Sequence, residues 1–163
     1  MQVLRRQLGL SKGLYTEAER QRRDSSPWTR VQAVLAPLQF LVFLVSLALV
    51  LRTLITGDGA AIANLSIILK TLLLYTIMIT GSLWEKDVFG RYLFAPAFFW
   101  EDAVSFIVIA LHTAYLVSLL SGSLNETDLL ILALVAYAAY VINAGQFLLK
   151  LRAARLGTVE AAS

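Results

Sequence analysis

The chain has no cysteine, so it can form neither a disulfide nor a thiolate-ligated metal site. Its single histidine, His112, excludes a bis-histidine haem held within one chain. Charge is scarce: Asp, Glu, Lys and Arg make up 15% of residues, against about 25% in soluble domains. Disorder is excluded by the opposite excess, since 58% of residues are hydrophobic and the mean hydropathy is +0.72. Alternating strands of about ten residues, the signature of a membrane barrel, are absent. What is left for 163 residues is about one domain, and its composition is that of a small all-α, polytopic integral membrane protein.

The net charge is +3, and seven of the 14 basic residues fall in the first 30 positions. That arm lacks interleaved aromatics and any nucleic-acid motif, so nucleic acid is not an expected partner. It reads as a basic arm, residues 1–30, lying on an anionic membrane surface. It has no apolar core or cleavage site of a signal peptide. Thr16 and Glu19 have capping-box spacing and predict a short helix over Glu17 to Asp24. Ser26-Pro27 predicts an N-cap and first helical residue, with Trp28 as interfacial anchor. A transmembrane domain follows over 31–151. Its four spans, at about 31–55, 60–83, 103–120 and 129–151, come from uncharged or nearly uncharged runs of roughly the 20 residues that a bilayer requires. An aromatic and acidic loop, 84–102, joins the middle spans, and residues 152–163 form a tail. Twelve basic residues flank one side and Arg52 alone flanks the other, which puts the N- and C-termini and the 84–102 loop in the cytoplasm.

Polar residues inside the spans are few and patterned. Gln32, Gln39, Ser46 and Thr53 recur every seven residues and share a face, as expected for interhelical hydrogen bonds or the wall of a ligand site. Lys70 lies near mid-depth, where a lysine costs at least about 2.5–3.5 kcal/mol. No other span carries an acid at that depth, which points to water or a polar substrate group beside it. His112 is also near mid-depth. It either donates to a carbonyl across a helix interface or ligates a metallated macrocycle. Tyr137, Tyr140, Asn143 and Gln146 form a slanted stripe on the last span.

Residues 84–102 read WEKDVFGRYLFAPAFFWED. Four carboxylates, Glu85, Asp87, Glu101 and Asp102, bracket Phe89, Tyr92, Phe94, Phe98, Phe99 and Trp100. The segment reads either as an interfacial stretch with rings at headgroup level or as a flat apolar pocket rimmed by acids. Rings suit a planar aromatic ligand, and a carboxyl against apolar walls retains a proton at neutral pH.

Three segments carry a resemblance: SPWTRVQAVLAPLQFLVFLVSLALVLR (26–52), KTLLLYTIMITGSLWEKDVFGRYLFAPAFFWEDAVSFIVIALHTAYL (70–116) and AAYVINAGQFLLKLRAAR (138–155). Together they are similar to the 3-vinyl (bacterio)chlorophyllide hydratases, over about residues 15–155. The resemblance implies a hydro-lyase of bacteriochlorophyll biosynthesis in the intracytoplasmic photosynthetic membrane. The enzyme adds water to the C3 vinyl group of chlorophyllide a or 3-vinyl bacteriochlorophyllide and yields a 3-(1-hydroxyethyl) product. No separate cofactor and no metal of its own are implied; the magnesium belongs to the substrate.

The chemistry then suggests roles. Protonating the terminal vinyl carbon leaves a cation conjugated with the macrocycle, so a general acid, a positioned water and nearby negative charge are needed. Glu101, which follows Phe98-Phe99-Trp100, is the expected proton donor, with Asp102 or Glu85 orienting the water and Asp87 as a further candidate. Expected substrate contacts are His112 (as axial ligand to the substrate magnesium), Lys70, Tyr92, Phe98, Trp100 and Asn143. A chlorin is about as wide as a helix with its side chains, roughly 10–12 Å. The site is therefore expected between protomers of a homo-oligomer or in a groove open to lipid. The competing reading is a non-catalytic membrane subunit binding haem, quinone or pigment.

Overall fold

The computed structural model describes residues 13–162, with side chains to residue 156. The start of the basic arm and the side chains of the tail's end lie outside the described residues. Among the described residues five helices follow one another: α1 (Glu17–Ser25), α2 (Pro27–Thr56), α3 (Ala60–Phe89), α4 (Phe99–Ser121) and α5 (Glu126–Ala162). Among the described residues there is no strand. Four of the five, α2 to α5, are long and apolar enough to cross a membrane.

Local chemistry explains where the helices begin and end. Thr16 Oγ1 accepts from the Glu19 N–H at 3.2 Å, and Glu19 Oε2 accepts from the Thr16 N–H at 2.7 Å, so the expected capping box opens α1. Pro27 occupies the first turn of α2, where its missing N–H is harmless. Ser26 stands at the N-cap position, but its hydroxyl donates to Asp87 Oδ2 at 2.7 Å instead of capping. Gly57, at φ 77°, ends α2 in the left-handed conformation that suits glycine, and its N–H bonds the Thr53 carbonyl. Asn125 Oδ1 accepts from the Asp128 N–H at 2.9 Å and caps α5.

The helices pack chiefly as two antiparallel hairpins, α2 on α3 and α4 on α5. Polar side chains stitch each one. Gln32 Nε2 donates to Thr80 Oγ1 at 2.6 Å, and Ser46 Oγ meets Ser66 Oγ at 2.7 Å. Ser105 Oγ reaches Asn143 Oδ1 at 3.0 Å. The heptad stripe of α2 thus points inward from Gln39 to Thr53. Phe43, Val50, Ile67, Leu74, Val108, Tyr115 and Tyr137 fill the core. Leucine, isoleucine and valine side chains face outward along every long helix. A polar seam inside an apolar exterior is what lipid selects.

The helices outrun the expected spans. At 1.5 Å per residue, the 30 residues of α3 reach about 45 Å, against a hydrocarbon core of about 30 Å. Residues 84–89 and 99–102, read from sequence as loop, are helical, and only 90–98 are not. Helix α5 likewise continues through the expected tail to Ala162.

Candidate active site at the carboxyl-lined end of the bundle

Where α3 ends and α4 begins, the 90–98 connection folds back over the bundle. Its backbone is clamped by two carboxyls. Asp102 Oδ2 accepts from the Phe94 N–H at 2.7 Å, and Glu85 Oε2 accepts from the Ala95 N–H at 3.2 Å. Phe94 is the sole non-glycine residue with positive φ, 58°, among the described residues, and the Asp102 bond holds it there. Its ring stacks on Phe106 at 5.5 Å and leans on Phe99.

Glu85 and Asp102 also meet: burial and the Asp102 carboxyl beside it push the Glu85 carboxyl well above the usual carboxylate range, and burial raises Asp102 as well. Both are buried, at 5% and 3% exposure. Residues that sequence separates by seventeen positions therefore form one buried carboxyl pair.

Glu101, also buried, has a different environment from the one its aromatic neighbours suggested. Lys150 Nζ lies 2.8 Å from Glu101 Oε2, donates also to the Ala97 carbonyl, and stands 5.5 Å from the Phe98 ring centre. Glu101 is thus an ion-paired carboxylate, and its carbonyl accepts from Asn143 Nδ2 at 2.9 Å. Asp87 stands apart from the pair, bonded to Ser26.

The aromatic residues divide. Phe98 is buried among Tyr15, Trp84, Phe89 and Phe147. Burial there pushes the Tyr15 phenol pKa up, against the opposing charge of Arg23 above its ring. Tyr92 and Trp100 are exposed, with Lys86 Nζ 5.3 Å above the Tyr92 ring. A surface groove of about 390 Å³ opens at the same end between Leu14, Thr16, Phe89, Pro96 and Ala97; Glu85 and Asp102 do not line it.

Lys70 and His112 are placed elsewhere. Both are wholly buried inside the bundle. Lys70 Nζ sits 3.4 Å from the Tyr140 ring centre, with no carboxylate beside it. His112 shares the inward face of α4 with Glu101, as their eleven-residue spacing predicts, and about 16 Å of helix separates them.

The residue that sequence reasoning missed is Lys150. It had been counted only as a flanking charge, yet it lies seven positions after Asn143 and so on the same face of α5. Phe94 was visible as one ring among six; its backbone conformation was not.

Four apolar helices with a buried carboxyl pair at one end make this a small helical membrane protein. The chain belongs to the 2-vinyl bacteriochlorophyllide hydratase family, whose model matches residues 15–153. A 2-vinyl bacteriochlorophyllide hydratase of Rhodobacter capsulatus is 68% identical over 145 residues, covering 89% of this chain and 84% of that protein. One of Cereibacter sphaeroides is 66% identical over 143 residues, covering 88% and 89%. No solved structure matches. The family name counts the vinyl position as 2 where the resemblance above counts it as 3; the locants come from two numbering schemes for the same ring.

Proposed function

We propose that this chain is a hydro-lyase that adds water to the ring vinyl group of chlorophyllide a or 3-vinyl bacteriochlorophyllide and forms the 3-(1-hydroxyethyl) product. The family match over residues 15–153 carries the reading. The buried Glu85–Asp102 pair supplies chemistry that suits it.

In this scheme the pair donates its proton to the terminal vinyl carbon. The π electrons form the new C–H bond, and the cation left on the inner carbon is delocalised into the macrocycle. Water attacks that carbon and loses a proton to the carboxyl pair, so the net change is addition of one water. Glu101, paired with Lys150 at 2.8 Å, supplies negative charge near the cation and a hydrogen-bond acceptor for the water. On this reading the donor is the Glu85–Asp102 pair and not Glu101, where sequence put it; the Lys150 contact to Glu101 is what supports the change. The exposed rings of Tyr92, Phe99 and Trp100 offer faces for a planar pigment, whereas Phe98 and Asn143 are buried. The scheme requires no cofactor beyond the magnesium of the substrate.

The same reading puts the chain in the photosynthetic membrane, with both termini and the 90–98 connection cytoplasmic, the substrate arriving from lipid or across a contact with a second copy. Membranes carrying the chain, incubated with chlorophyllide a, should show an absorption shift and a mass gain of one water. Unchanged pigment with folded protein overturns the proposal.

A further inference from the structure

Three buried side chains in the bundle end in polar atoms that have no hydrogen-bond partner: Gln39 Oε1, Lys70 Nζ and His112 Nε2. Their exposures are 3%, 0% and 0%. They come from α2, α3 and α4; two tyrosines of α5 contact Lys70 and His112, and Gln39 faces the same part of the core. Lys70 Nζ lies 3.4 Å from the Tyr140 ring centre, and the His112 ring centre is 5.8 Å from that of Tyr137. Phe43, one turn beyond Gln39, packs on both tyrosines at 5.1 and 5.3 Å. The bonds Ser46–Ser66 and Gln32–Thr80 bracket Gln39 against the stretch of α3 that contains Lys70.

The chemistry of the three atoms narrows what can meet them. His112 Nδ1 is 2.8 Å from the Val108 carbonyl, which can only accept, so Nδ1 carries the hydrogen. In the neutral ring Nε2 then presents a lone pair. The set is one ammonium donor and two acceptors. An anion would satisfy Lys70 and oppose the other two. A metal cation would suit His112 and Gln39 and oppose the ammonium. A neutral molecule with a lone pair and two O–H bonds satisfies all three.

We propose that water is bound in the bundle core among Lys70, His112 and Gln39, at a site distinct from the carboxyl pair. Bound water solvates the lysine where lipid cannot, and three partners is the usual number for a buried water. Fifteen residues of α3 separate Lys70 from Glu85, about 22 Å. The two sites therefore cannot serve one vinyl group, and the inference stands whether or not the proposed reaction is right.

The test uses the chain's one histidine. Full-length protein carrying 15N-histidine, pigment-free in lipid vesicles, is studied by water-edited solid-state NMR. Polarisation should pass from water to His112 Nε2 several-fold faster than to the Val108 amide nitrogen, labelled in a parallel sample. Lys70→Met and Gln39→Leu should each slow it. Transfer as slow as at Val108 in the unmodified protein overturns the proposal without reference to any variant. Transfer unchanged in both variants overturns it too, since the water would then not be held by this set. Formate serves as the anion probe: no shift of the His112 resonance is expected, and a saturating shift would replace water by an anion as the occupant.

Discussion

Glu85 and Asp102 each receive an amide of the 90–98 connection and stand beside each other, so a side chain that keeps those contacts keeps the fold. Glu85→Gln does so, because its oxygen can accept from Ala95 and its NH₂ can donate to Asp102. It cannot release a carboxylic proton. Turnover should fall by about 10²–10⁴-fold, the usual contribution of a general acid, with the melting temperature nearly unchanged. Near-normal turnover in this variant would remove the pair from the mechanism. The Glu101–Lys150 contact is tested by stability. A double-mutant cycle with Glu101→Gln and Lys150→Met should give a coupling of about 0.5–3 kcal/mol, as for charges in direct contact; additive losses would mean that the ion pair contributes nothing. The four carboxylates were legible as candidates because acids beside rings are conspicuous. Their partners were not. Glu101 meets a lysine 49 positions away, and no local pattern of residues reports such a contact.

Helices α2 to α5 were legible as elements because uncharged runs of bilayer length leave few alternatives, and the inward face of α2 because its polar residues repeat by sevens. Helix ends were less legible. Gly57 stops α2 close to the expected end of its span, whereas Gly90 stops α3 well beyond the hydrocarbon that the charge pattern marks. Two predictions belong to this scale. Lys70→Met exchanges a buried cation for an apolar side chain of similar length, and such exchanges are often neutral or stabilising by about 1–4 kcal/mol. Melting in detergent should therefore not fall, and a marked loss would mean that the cation holds the bundle together. Thr16→Ala removes the hydroxyl that caps α1 and should destabilise that helix by about 0.5–2 kcal/mol. Limited proteolysis should then cut within 17–25 sooner while α2 to α5 stay intact.

At the scale of the whole molecule, four spans return the chain to its starting side. Basic residues predominate at the end shared by α1, the 90–98 connection and the last turns of α5. Reporter fusions at Ser163 and within 121–128 should therefore give opposite signals, with Ser163 cytoplasmic; equal signals would reject the four-span arrangement. The long sequence separations of the contacts at the carboxyl end have a further consequence, in the order of synthesis. Arg22 is tied to the Val88 carbonyl and Ser26 to Asp87, across separations of 66 and 61 residues. The first described helix therefore cannot make these bonds until two spans have been inserted. Glu101 waits longer still, because its lysine follows 49 positions later, in the last of the four spans. A chain released before that point can thread the membrane and yet leave Glu101 without its lysine.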